Sequence, residues 1–216
     1  MLTPVSNSVK TRKIDSMSTW TVVPNTGPGP HEVVYPPDRA AWRAWLQAHH
    51  ETAKGIWLVY YKKGSGTPSI AYPDMVKECL CFGWIDSRVN KLDEARYLQF
   101  ITPRKPKSVW SKINKGYLEE LEREGLLAPA GLRAIEIAKD NGSWTALDAV
   151  EALTIPDDLA AALVANPAAQ ATFATYSPST LKLALTKLAA AKRPETRQKR
   201  LIELIALAAE GKKPVP

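Results

Sequence analysis

The sequence is poor in the residues that build disulfide frameworks and metal centres. Its 216 residues include two cysteines, Cys79 and Cys81, and three histidines, His31, His49 and His50. Two cysteines make no disulfide framework, and the histidines lie far from them along the chain, outside the ligand spacing of a zinc site. We therefore expect reduced thiols that pack in the core, no metal site and no cofactor.

Long apolar runs and a secretory leader are also missing. No run approaches the roughly 20 residues that cross a bilayer, and the basic residues Lys10, Arg12 and Lys13 are not followed by an apolar stretch. Residues 1–30 are rich in Ser, Thr, Pro and Gly, so we expect a disordered lead-in, with Met17 as an alternative start. The expected location is the cytoplasm.

The remaining patterns predict an α+β fold. Ile56 to Tyr61 is apolar on both alternating faces, which is typical of a central strand, and the segments 84–90 and 95–102 predict a hairpin. Prolines near positions 129, 156, 167, 178 and 194 predict the starts of separate helices. We expect a small, mostly antiparallel sheet with flanking helices in a domain over 31–125, an all-helical region over 126–211 and a tail over 212–216.

The basic residues concentrate in the middle of the sequence. The formal net charge is +7, and eight basic residues between Arg88 and Lys115 are opposed only by Asp93 and Glu94. The stiff loop Pro103 to Lys107 precedes a helix that Ser108 could cap, and free amides at a helix start favour anions. Tryptophans on both sides offer flat ring faces. The predicted ligand-binding residues are Trp84, Asp86, Arg88, Arg104, Lys105, Ser108, Trp110, Ser111 and Asn114.

Asp86 is the candidate catalytic residue, and its role stays open. In the predicted strand, Trp84, Asp86, Arg88 and Asn90 alternate with more apolar neighbours, so we expect them to share one face. A single carboxylate there could act as acid or base, but more often it pairs with a nearby arginine, here Arg88 or Arg104.

A second basic cluster, Lys192 to Arg200, opens the last predicted helix. Basic residues at a helix start oppose its dipole, so the cluster either binds an anion or forms a solvated basic face. The sequence leaves open whether it joins the central site.

Three motifs resemble one known family. Leu80-Cys81-Phe82-Gly83-Trp84-Ile85-Asp86, the run from Phe100 to Asn114, and Ala191-Lys192-Arg193-Pro194-Glu195-Thr196-Arg197 are similar to the YdeI/OmpD-associated family of bacteriocin-protection proteins, over about Val33 to Gly211. The resemblance implies a role in tolerance of bacteriocins or cationic antimicrobial peptides. It implies no reaction.

Three functions follow as hypotheses. The first is a protein that binds an anionic small molecule in the basic, Trp-flanked segment in support of that tolerance. The second is an enzyme acting on a phosphorylated or carboxylated small molecule through Asp86, with Arg104 orienting the substrate. The third, less favoured because no recognition motif is present, is a nucleic-acid-associated protein.

Overall fold

The computed structural model describes residues 19–23 and 27–214, and the chain divides into two compact units. One unit, called here the sheet unit, comprises the described residues up to 108 and residues 113–141. The other, the helical unit, comprises residues 109–112 and the described residues from 142 onward. Residues 126–141 thus group with the sheet, although the sequence places the start of the helical region at 126.

A five-stranded sheet forms the centre of the sheet unit. Its strands are β1 (Thr21–Val23), β2 (Val33–Tyr35), β3 (Ile56–Tyr61), β4 (Trp84–Lys91) and β5 (Arg96–Pro103), in the order β1-β2-β3-β5-β4. Only β2 and β3 run parallel, and the other neighbours are antiparallel. The predicted α+β class, the central position of β3 and the hairpin are confirmed.

The expected lead-in over 1–30 is corrected for its described part. Strand β1 pairs with β2 in antiparallel register, and Trp20 beside it is buried, edge-on to the ring of His49 at 5.8 Å. A Trp-Thr-Val-Val run favours a strand because β-branched and aromatic side chains pack well on a pleated surface. Residues 1–18, which include Met17, and 24–26 lie outside the described residues.

Four helices belong wholly or mainly to this unit: α1 (Arg39–His49), α2 (Tyr72–Cys81), α3 (Lys112–Arg123) and α4 (Pro129–Asp140). Asp38 caps α1, since its carboxylate accepts from the amide of Ala41 at 2.8 Å. The buried face of α1 consists of Ala41, Trp42, Trp45 and Leu46. Helix α3 buries Leu118 and Leu121, whereas Ile113 in its first turn is 64% exposed.

Two structural features hold α2 in place. Glu78 is 1% exposed, and its carboxylate accepts from Arg39 Nε at 2.6 Å and from Arg43 at 2.7 Å. Gly83 lies just after α2 and has φ +70, a left-handed conformation that favours glycine. Gly131 in α4 lies so close to α2 that a Cβ on it would collide with the carbonyls of Leu80 and Cys81. Helix α4 therefore packs closely against the end of α2.

The helical unit contains α5 (Asp148–Glu151), α6 (Asp157–Val164), α7 (Pro167–Phe173), α8 (Pro178–Ala189) and α9 (Pro194–Ala209). The predicted starts near prolines are confirmed, and Asn166 and Ser177 cap α7 and α8. The core is built almost wholly from Leu, Ala and aromatic side chains. Within the described ranges, no helix has both the length and the apolar character needed to span a membrane.

Candidate functional site

The two tryptophans expected to flank a pocket are core residues. Trp84 is 1% exposed, packs edge-on against Trp45 at 5.8 Å and donates its indole N–H to the carbonyl of His50 at 3.3 Å. Trp110 is also 1% exposed, with its ring centroid 5.3 Å from that of Trp144. Neither ring face is accessible to a ligand, so the expectation of a Trp-flanked pocket is wrong.

The start of α3 already holds an anion that the protein itself supplies. The amide of Lys112 donates to Glu151 Oε1 at 3.3 Å, and Lys182 donates to Glu151 Oε2 at 2.6 Å. The hydrogen bond from Lys182 holds the pKa of Glu151 below its usual value. Burial opposes this shift, and the hydrogen bond from the Lys112 amide supports it. The carboxylate thus serves the role that the sequence assigns to an external ligand.

The remaining residues of the predicted loop and helix start differ in burial and belong to different units. Ser108 lies four residues before the helix and donates its amide to the carbonyl of Lys105 at 2.9 Å, so it is no cap of α3. Lys105 is exposed, while Ser111 and Asn114 are half-buried. Ser111 falls in the helical unit, whereas Asn114 falls in the sheet unit.

A β-bulge separates Asp86 from Arg88. Asp86 is opposite Ile101 and Val89 is opposite Gln99, so two residues of β4 face one residue of β5. The alternation therefore shifts, and Arg88 and Asn90 leave the face that carries Trp84 and Asp86. The guanidinium of Arg88 lies 4.7 Å from the ring centre of Phe100 and 5.2 Å from that of Trp57. The expected single face and the Asp86–Arg88 ion pair are both wrong.

Asp86 instead belongs to a polar cluster between α2 and the sheet. Its Oδ2 accepts from the hydroxyl of Tyr72 at 2.8 Å and from the side-chain amide of Gln99 at 3.3 Å. Arg104 lies near enough to interact electrostatically with Asp86 and Cys79, but burial dominates and lowers the pKa of Arg104 to about 10. Asp86 and Arg104 are therefore neighbours, while the hydrogen bonds to Asp86 come from Tyr72 and Gln99.

A cleft that the sequence did not reveal opens beside this cluster. It has a volume of about 750 Å³ and is lined by the ends of β3 and β5, the loop 62–71 and the start of α2. Four tyrosines line it, namely Tyr60, Tyr61, Tyr72 and Tyr97, together with Lys62 and Lys63. The rings of Tyr60 and Tyr97 stack with centroids 4.9 Å apart. This tyrosine cleft joins the Asp86 cluster through the hydroxyl of Tyr72.

Tyr60 stands out among the residues of the tyrosine cleft. Its side chain is 3% exposed, and within the described part of the chain its hydroxyl makes no hydrogen bond. Burial, reinforced by Cys79 and the neighbouring tyrosines, raises the pKa of Tyr60 far above its usual value, so the hydroxyl stays protonated. The only hint in the sequence was the Tyr-Tyr pair at the end of β3, followed by the loop Lys62-Lys63-Gly64-Ser65-Gly66-Thr67.

Comparison with known proteins gives a different answer for each half of the chain. Residues 34–134 match a domain of unknown function (DUF8412). Residues 152–211 match the OmdA family, described as bacteriocin-protection, YdeI or OmpD-associated. Searches of curated proteins and of solved structures found no significant match.

The two matches divide the motifs that suggested the family. The motifs at 80–86 and 100–114 fall in the segment that matches the domain of unknown function, while the motif Ala191 to Arg197 falls in the other. The suspected resemblance is confirmed over residues 152–211, which match the model of the bacteriocin-protection, YdeI or OmpD-associated family.

Proposed function

We propose that this protein supports tolerance of bacteriocins or cationic antimicrobial peptides by binding a small anionic molecule in the tyrosine cleft. The match over residues 152–211 supports the biological role. The observation that carries the binding role is the cleft itself, which at about 750 Å³ lies in the size range of small-molecule pockets and presents aromatic faces with a few polar groups.

The lining of the tyrosine cleft favours a negative ligand. Lys62 and Lys63 are exposed on the loop, and the Lys62 ammonium is 2.9 Å from a carbonyl oxygen of Glu94. Gly64 and Gly66 both have positive φ, and nothing lies within 4 Å of where their side chains would be, so the loop backbone is open to a ligand. Carboxylates and phosphates accept hydrogen bonds from ammonium groups, hydroxyls and backbone amides.

A panel of carboxylates, sugar phosphates and nucleotides screened by thermal shift tests the binding role. We expect at least one to raise the melting temperature of the wild type, and the double variant Lys62→Ala, Lys63→Ala to lose most of that shift. The matched control is Lys54→Ala, Lys213→Ala, which removes two exposed charges outside the lining of the cleft. An equal loss in both double variants would show a nonspecific charge effect and reject the cleft.

A survival assay tests the biological role. Cells that lack the protein are expected to be more sensitive to a bacteriocin panel, and wild type but not the Lys62, Lys63 double variant should restore tolerance. Unchanged sensitivity in the deletion strain would contradict the biological role, and the binding role would then depend on the thermal-shift test alone.

We further propose a cytoplasmic location, which fits the free, buried thiols of Cys79 and Cys81.

A second candidate function is catalysis at the edge of the tyrosine cleft. The hydrogen bond of 2.8 Å from Tyr72 to Asp86 favours it, because a carboxylate beside a partly exposed phenol is a workable acid–base pair. Here Asp86→Asn should abolish turnover of a cleft ligand while its binding persists. If the ligand binds but is never converted by the wild type, the binding function alone remains.

A further inference from the structure

We propose that the outer edge of strand β4 binds an extended, acidic segment of a partner protein, which adds to the sheet as a further strand. The surface consists of residues 87–91 and is called here the β4 edge. It contains none of the residues that line the tyrosine cleft. The inference goes beyond the proposed function, because it concerns a protein partner and not a small molecule.

The β4 edge is open within the described part of the chain. Strand β4 is the last strand of the sheet there and pairs only with β5. Ser87, Arg88, Val89 and Lys91 are exposed, and the apolar side chain of Val89 is 59% exposed. An exposed edge strand presents N–H and C=O groups that can hydrogen-bond to another extended chain.

The hydrogen bonds of the hairpin show which backbone groups of the β4 edge point outward. The amide of Leu92 donates to the carbonyl of Arg96 at 3.2 Å, and the register continues from there without a break to Val89. Bonded residues alternate along an antiparallel pair, so Asn90 bonds to β5 while Val89 and Lys91 turn their N–H and C=O groups away from it. The backbone of Val89 and Lys91 can therefore hold a partner strand.

Arg88 favours an acidic partner. Its guanidinium lies 4.7 Å from the ring centre of Phe100 and 5.2 Å from that of Trp57, and such cation–π contacts hold it in place. No carboxylate of the described residues forms an ion pair with Arg88, whereas Lys91 is paired with Glu94 at 2.5 Å. A guanidinium that is already oriented loses less freedom when it binds a carboxylate, so charge complementarity selects glutamate or aspartate.

The two faces of the β4 edge define the sequence pattern of the partner. Side chains alternate along a strand, so Arg88 and Asn90 share one face while Val89 and Lys91 share the other. A partner strand fits when it places acidic side chains beside Arg88 and apolar side chains beside Val89. The bulge and the basic side chains deter unrelated strands, and this restricts the edge to a partner of opposite charge.

Fluorescence anisotropy tests the inference with a labelled peptide of alternating glutamate and valine that is as long as β4, 8 residues. One control peptide has lysine in place of glutamate. The other has N-methylated valines, which cannot donate to the carbonyls of the β4 edge. We expect the wild type to bind the first peptide about tenfold more tightly than either control, because charge and backbone pairing both contribute.

Two variants locate the binding. Arg88→Ala should weaken it about fivefold, as the loss of an exposed ion pair implies. The matched control Arg133→Ala removes an exposed arginine from α4 and should bind as the wild type does. Val89→Pro should abolish binding but keep the sheet, because the amide hydrogen of Val89 points away from β5. Circular dichroism checks the sheet, and if Val89→Pro fails to fold, the N-methylated peptide still tests the backbone pairing.

Equal binding of the three peptides, or equal binding of the acidic peptide by wild type and Arg88→Ala, would overturn the proposal. Tighter binding of single-stranded oligothymidylate than of the acidic peptide would assign the β4 edge to nucleic acid and overturn the class of partner. Sedimentation of the wild type as a dimer that Val89→Pro dissociates would assign the edge to a second copy of this chain, again against the proposal. These outcomes leave the tyrosine cleft untouched, since its lining lies outside the β4 edge.

Discussion

The sheet unit and the helical unit differ in how deeply their ion pairs are buried. In the sheet unit a carboxylate is 1% exposed under two arginines, and a polar cluster and a cleft lie beside the same helix. In the helical unit the core is apolar, and the ion pairs Lys182–Glu151 and Arg197–Asp158 are at least partly exposed. A buried polar group constrains a fold and can carry chemistry, whereas an exposed pair does little of either. The sheet unit contains most of the match to a domain of unknown function, whereas the match to the bacteriocin-protection family lies in the helical unit.

Removing the charge of Glu78 should produce the largest effect. Glu78→Gln leaves Arg39 and Arg43 without a counter-charge at a site where the carboxylate is fully enclosed. We expect a loss of about 2 to 4 kcal/mol in the free energy of unfolding, as for other broken buried pairs. Urea unfolding at neutral pH measures it.

The control for this loss is Glu151→Gln in the helical unit, where the partner Lys182 is 45% exposed. It should cost less than about 1 kcal/mol, as exposed pairs do. Similar losses in the two variants would show that the two units do not differ in how they use charge.

A smaller effect is expected where α4 meets the end of α2. Gly131→Ala places a methyl group against the carbonyls of Leu80 and Cys81 and should cost about 1 to 3 kcal/mol, because backbone cannot yield as a flexible side chain would. Differential scanning calorimetry should show a lower melting temperature.

Gly116→Ala is the matched control. Gly116 lies inside α3 with nothing within 4 Å of its Cβ position and no positive φ, so alanine should stabilise the helix by up to about 1 kcal/mol. Opposite signs for the two glycines would confirm that close approach, and not glycine loss in general, sets the cost at Gly131. A shared sign would contradict it.

The fold was largely predictable from the sequence because its signals are local. Pro167, Pro178 and Pro194 sit at the first helical positions, where a missing amide hydrogen costs nothing, and β3 reads as buried because both of its faces are apolar. The sequence also predicted the hairpin of β4 and β5. Ordered structure before His31 was not predictable, because Trp20 and β1 form only a short segment among turn-forming residues.

The candidate site was less predictable because it depends on register and on distant segments. Alternation along β4 predicts that Asp86 and Arg88 share a face, but one extra residue in the bulge reverses this, and nothing in the composition marks an extra residue. The two tryptophans are equally typical of cores and of pockets, and here they are core residues. Tyr60, Tyr72 and Tyr97 come together only because β3, α2 and β5 meet at one end of the sheet.

The smallest expected effect concerns the pH dependence of one exposed ion pair in the helical unit. Asp158 accepts two hydrogen bonds from Arg197, at 2.7 and 2.9 Å, and this pairing lowers the pKa of Asp158 below its ordinary value of 3.8. A carboxyl whose pKa is lower in the folded state stabilises the protein above its ordinary pKa and loses that contribution as the pH falls through the folded value. Asp158→Asn should therefore lower the free energy of unfolding by under about 1 kcal/mol near neutral pH, and not at all once the pH is well below 3.8.

The control is Asp157→Asn at the same helix start. Within the described residues no ion pair holds the Asp157 carboxylate, so its loss should lower the free energy of unfolding by less. Urea midpoints of the three proteins across a pH series separate the two cases. A difference between Asp158→Asn and wild type that persists unchanged in acid would mean that the side chain acts through packing, and the contrast between the units would then rest on the buried Glu78 alone.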